Sequence, residues 1–86
     1  MLTNARIQER QVLSEHDVLM LLNFELAAYE ECADCHFTSL RPAKVADETG
    51  CNWRDADLQV DGEATEAARK ITEKVLDEVR ETYNVG

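Results

Sequence analysis

From Val18 to Tyr29 the chain carries only two polar residues, Asn23 and Glu25, and that run restricts the fold more than any other feature. Ser14 precedes it as a natural N-cap, with Asp17 three residues on and Leu13 and Val18 where a hydrophobic staple would sit. Val18, Leu22, Leu26, Tyr29 and Ala33 follow helical spacing, which predicts a helix over about 15–34. Met20, Leu21, Phe24 and Ala28 widen its apolar surface well past one stripe. A helix that is apolar on nearly every side needs cover on nearly every side. A chain of 86 residues, read as a single domain over 1–86, holds too little else to supply it. Val18, Met20, Leu21, Leu22 and Phe24 are therefore the expected partner or dimer surface.

The same helix is acidic. No Lys or Arg falls between Arg10 and Arg41, whereas Glu15, Asp17, Glu25, Glu30, Glu31 and Asp34 all do. The last three crowd the predicted helix C-terminus, where the macrodipole disfavours anions. Across the chain 18 acids oppose 9 bases, for a net charge of −9. Such a field repels phosphate backbones, and the bases are scattered, so direct nucleic-acid binding is not expected. It suits a basic protein partner, or occupation of a nucleic-acid site on another protein.

A second helix is predicted over about 63–83. Asp61 or Gly62 can cap it, Glu63 and Glu66 suit its first turn, and Ala64, Ala67, Ala68, Ile71, Val75, Val79 and Tyr83 trace one face. Glu66 with Lys70, and Lys74 with Glu78, are i,i+4 pairs on the other side. Between the helices, residues 37–62 hold the turn signals Arg41-Pro42, Asp47-Glu48-Thr49-Gly50 and Asp61-Gly62. Short strands fit Phe37–Arg41 and Asp57–Val60. Residues Met1–Leu13 suit a short helix and an extended arm equally. The expected class is mainly α, two amphipathic helices joined by a long Cys-containing loop. A short β-hairpin in that loop, making the fold α+β, is the alternative.

The chemically pointed residues are Cys32, Cys35, His36 and Cys51. A C-x-x-C pair sets two sulfurs within reach of one tetrahedral ion, and Cys51, after Thr49-Gly50, can supply a third. A structural zinc there would tie the long middle segment to the first helix, the staple that small domains often need. The fourth corner is weak. His36 adjoins Cys35, and sixteen residues of helix would put His16 about 24 Å from Cys32. Asp47, Asp55, Asp57 or water remain. Against zinc stands the plainer reading that three free thiols pack as small apolar groups. His36 is then an ordinary histidine at a helix C-terminus. A thiol redox protein comes third, because redox C-x-x-C pairs open a helix and this one closes a helix among carboxylates. The literal haem-attachment spacing Cys32-x-x-Cys35-His36 is read as coincidence.

No residue set suggests catalysis. Ser14 is a cap, and the two histidines are far apart along the chain. Trp53, the single tryptophan, is read as cover between the helices. The N-terminus lacks the features of a signal peptide, and the apolar stretch Val18–Leu22 is far short of a membrane span. A cytoplasmic chain without membrane contact is expected, and apart from the candidate zinc no cofactor is. These features together suggest a small acidic binding or regulatory module, non-catalytic and homodimeric or bound to a protein partner. The alternatives are an acidic inhibitor of a basic protein, of the type found in phages and mobile elements, and a small thiol redox protein.

Overall fold

The computed structural model describes residues 10–86, and the reading of Met1–Glu9 lies outside them. In chain order the elements are β1 (Gln11–Leu13), α1 (Glu15–Leu26), a 3-10 turn (Glu30–Cys32), β2 (Cys35–Pro42), β3 (Trp53–Val60), α2 (Glu66–Thr82) and β4 (Tyr83–Val85). Of the described residues 42% are helical and 29% lie in strands, so the fold is α+β and the mainly α expectation is corrected.

The short strands expected at Phe37–Arg41 and Asp57–Val60 form as parts of longer ones, β2 and β3, whose full extent the sequence obscures. β2 buries Phe37 and Leu40, three residues apart, and so does not alternate. A bulge between Phe37 and Ser39 shifts the register and returns both side chains to one face. β3 reads Arg54-Asp55-Ala56-Asp57, poor in the β-branched residues that mark strands. Its charges are matched across the hairpin instead: Arg41 pairs with both Asp55 and Asp57, and the Ser39 hydroxyl donates to Asp57 at 2.7 Å. β1 and β4 pair in parallel over only three residues, Gln11 opposite Tyr83 through Leu13 opposite Val85. This leaves Tyr83 in a strand beyond the end of α2.

α1 begins as expected. Ser14 is its N-cap, and the hydroxyl accepts the Asp17 N–H at 3.1 Å. It stops at Leu26, well short of residue 34, and the chain is extended at Tyr29 before the 3-10 turn. Ending α1 at Leu26 keeps Glu30 and Glu31 out of the C-terminal turn of a continuous helix, where the macrodipole disfavours anions. α2 starts later than expected, at Glu66, because the Thr65 hydroxyl accepts the Ala68 N–H at 3.0 Å. Asp61-Gly62 serves as the turn closing β3, with Gly62 at φ +98°.

One core holds these pieces together. Val18, Leu22 and Leu26 of α1 meet Phe37, Leu40, Trp53 and Ala56 of the hairpin and Ala68, Val75 and Val79 of α2, with Cys32 and Cys51 buried in the same cluster. Each large aliphatic side chain buried here contributes roughly 1.5–3 kcal/mol. Trp53 lies at the centre, its indole N–H donating to the Tyr83 carbonyl at 3.0 Å with the Arg80 guanidinium over its ring.

Two asparagines stand in for missing strands. On the outer edge of β2 the Phe37 N–H donates to the Asn23 side chain at 2.7 Å, and the Asn23 amide donates back to the Phe37 carbonyl at 3.0 Å. On the free side of β4 the Val85 N–H donates to Asn52 at 2.9 Å, and the Asn52 amide donates to the Val85 carbonyl at 2.7 Å. A carboxamide offers the same donor and acceptor pair as a peptide group, so each satisfies an edge residue in full. The polar residue in the middle of the apolar run thus has a structural task.

The long connection 43–52 is pinned by Asp47. One carboxylate oxygen accepts from the Thr49 N–H at 2.8 Å, the Thr49 hydroxyl at 2.6 Å and the Cys51 N–H at 3.2 Å, and the other accepts from Arg80 at 2.7 Å. Gly50 completes the turn at φ +89°, a conformation that side-chain-bearing residues rarely adopt.

Candidate functional site

The expected partner surface divides in two. Val18 and Leu22 face the core, with no exposed area. Met20 and Phe24, one helical turn apart, point outward at 57% and 75% exposure. Ala27 and Ala28 continue this exposed strip and Asp17 stands beside it. The helix is apolar on both sides, and the molecule covers only one of them.

Leu21 falls between these groups and lines a groove of about 230 Å³ with Glu25 of α1, Glu78 and Val79 of α2, and Tyr83 of β4. Its apolar lining is Leu21, Val79 and the tyrosine, with Glu25 and Glu78 as the charged members. Neither carboxylate is in an ion pair among the described residues. The expected pair of Lys74 with Glu78 does not form, because Lys74 turns to Tyr29, 3.4 Å from its hydroxyl and 5.8 Å from the ring centroid. Glu78 and Tyr83 could not have been assigned to a site from sequence. They reach α1 only through helix packing, and the one signal was Glu25, a lone charge inside an apolar run.

The four candidate metal ligands are not brought together. Cys32 and Cys35 lie near enough for Cys35 to raise the pKa of the Cys32 thiol. Cys35 opens β2 opposite Val60, while Cys51 sits two residues before Trp53, which pairs with Pro42 at the other end of the hairpin. Strands of 8 residues put those ends about 23 Å apart. His36 is an exposed strand residue, and among the described residues no three His, Cys, Asp or Glu side chains are grouped to hold a metal ion.

The thiols are free. The Cys32 Sγ is 3.7 Å from the Ala68 carbonyl and the Cys51 Sγ is 3.3 Å from the Trp53 carbonyl. Burial, then the neighbouring Cys35, then Glu31 push the Cys32 thiol above its usual pKa, so its reactive thiolate is disfavoured.

Larger hollows lie elsewhere. One, about 550 Å³ and open, runs along Ala64, Glu66, Arg69, Lys70 and Glu73 on the solvent side of α2. A second, about 480 Å³, is lined by Arg10, Asp47, Thr49, Asp77, Arg80 and Glu81. Another of about 480 Å³ lies at the loop end of the hairpin and gathers Lys44, Arg54 and Arg80 beside Asp47 and Val45. Arg80 there is committed to Asp47 and to the Trp53 carbonyl, so this hollow forms part of the loop's anchorage.

Among the described residues no helix is long and apolar enough to cross a membrane. Comparison with protein-family models, with curated proteins and with solved structures found no match.

Proposed function

We propose that this protein is a non-catalytic binding module that works by docking another protein on the outer face of α1. The observation that carries this reading is the pair Met20 and Phe24, exposed side by side on a helix whose opposite face is already buried. Covering what remains exposed of two such side chains is worth roughly 1–2 kcal/mol each in apolar burial. His16 and His36, the only histidines, are exposed on separate elements, which supports a module without acid–base chemistry.

The partner fits better as a different, basic protein than as a second copy. A symmetric pairing of two α1 faces would bring Asp17 and Glu25 of each copy towards those of the other. Between Arg10 and Arg41 there is no Lys or Arg to offset them. The acidic character of the chain and the apolar strip of α1 thus serve one task, the charge steering and the apolar pair anchoring.

The test uses the double variant Met20→Ser/Phe24→Ser. Immobilised wild-type protein should retain a partner from extracts of the source cells that the variant, equally folded by circular dichroism, does not. Identical retained sets would end the reading. Sedimentation velocity over a wide concentration range reports self-association, and a dimer abolished by the variant would reassign the face to a second copy.

A further inference from the structure

The groove beside Phe24 narrows the chemistry of that partner, provided that α1 is the docking face. Its volume of about 230 Å³ falls below the roughly 300–1,000 Å³ of pockets that enclose small molecules, so it suits one side chain better than a free ligand. Its apolar lining, Leu21, Val79 and Tyr83, calls for an aliphatic stem, and Glu25 and Glu78 call for a cation at the tip. Only lysine and arginine combine the two. The carboxylates come from different helices, and neither has an ion-pair partner among the described residues. A planar guanidinium with five donors can bridge two separate carboxylates and stack on a tyrosine ring, whereas an ammonium is a point charge.

We propose that the groove between α1 and α2 seats an arginine side chain of a basic partner segment that also covers Met20 and Phe24. The stem lies against Leu21, Val79 and Tyr83, and the guanidinium sits between Glu25 and Glu78. Charge complementarity selects this occupant over a second copy, since α1 holds Glu15, Asp17 and Glu25 and no Lys or Arg.

The probe is a fluorescently labelled amphipathic helix of leucine and arginine, titrated with the full chain and read by anisotropy. Two counterparts carry lysine or neutral citrulline in place of arginine. Saturable binding is expected, weakened about tenfold or more by citrulline and several-fold by lysine. Glu25→Gln/Glu78→Gln should weaken the arginine helix about tenfold or more, while Glu63→Gln/Glu66→Gln, an equal charge change at exposed positions elsewhere, should leave it within about twofold. Equal losses in the two double variants, or equal binding of the citrulline helix, would overturn the proposal by reducing it to general attraction. Binding lost with Met20→Ser/Phe24→Ser but kept with Glu25→Gln/Glu78→Gln would overturn the arginine seat and leave the docking face standing. The reverse pattern would keep the seat and overturn the apolar face.

Discussion

Replacing Asn23 by leucine sets two physical effects against each other with opposite signs. By helix propensity the change should stabilise α1 by a few tenths of a kcal/mol, since leucine is the better helix former. By the structure it strips the edge of β2. The Phe37 N–H and carbonyl, bonded to Asn23 at 2.7 and 3.0 Å, would both lose their partner next to a side chain that is 3% exposed. A buried polar group left unsatisfied costs about 1–3 kcal/mol. With some relief from water at a part-buried edge, and the propensity gain subtracted, a net loss of about 2–4 kcal/mol is expected. That is a large share of a domain stability of roughly 0.05–0.15 kcal/mol per residue, and should lower the Tm by about 10 °C or more. Urea and thermal unfolding, followed by helical ellipticity and by the fluorescence of the single Trp53, measure it directly. Asn23→Asp adds a sharper test. It keeps an acceptor for the Phe37 N–H but turns a carboxylate towards the Phe37 carbonyl. Its deficit should shrink as falling pH protonates that carboxylate and restores a donor, while the leucine deficit should stay. A leucine variant as stable as wild type, or more so, would refute the edge-sealing account.

Asp47 is held at about pKa 2, below the ordinary 3.8, chiefly by the Thr49 hydroxyl and N–H, with Cys51 N–H and Arg80 adding to the effect. A lowered carboxylate pKa contributes stability that is complete above about pH 4 and is lost as pH falls towards 2. Asp47→Asn should therefore flatten the acid limb of the unfolding curve in that window, and parallel limbs would contradict the assignment. A disulfide reagent at neutral pH should titrate Cys35 rapidly, with Cys32 and Cys51, at 2% and 1% exposure, reacting only on unfolding. Three equally fast thiols would show that the core around Cys32 and Cys51 opens readily. Phe24→Ser should change unfolding stability by no more than about 0.5 kcal/mol, because the side chain is 75% exposed and packs little. A larger loss would mean that Phe24 belongs to the core.

The parts legible in the sequence were those with one local cause. The Ser14 cap, the helical spacing of Val18, Leu22 and Leu26, and the amphipathic run of α2 each follow from residues within a few turns of one another. What escaped depends on partners distant in the chain. The first half of β3, residues 53–56, looks like a charged loop until Arg41 is set across from Asp55 and Asp57. Asn23 looks like a flaw in a buried helix until β2 lies beside it. The cysteine spacing invited one metal site because sequence does not reveal that the length of an eight-residue strand separates Cys35 from Cys51. On the outer face of α1 Met20 and Phe24 were visible as surplus, but sequence could not separate them from Val18 and Leu22.

Asn23 and Phe24 are neighbours in the chain with opposite duties, one bonded to a strand edge and the other presented to solvent. α1 therefore cannot roll about its axis to hide Phe24 without tearing two hydrogen bonds from β2. The helix is keyed in place, and the surface it offers is set before any partner arrives. Association with such a surface should be governed by encounter and electrostatic steering, with an on-rate that falls as salt rises, and should carry no slow rearrangement phase.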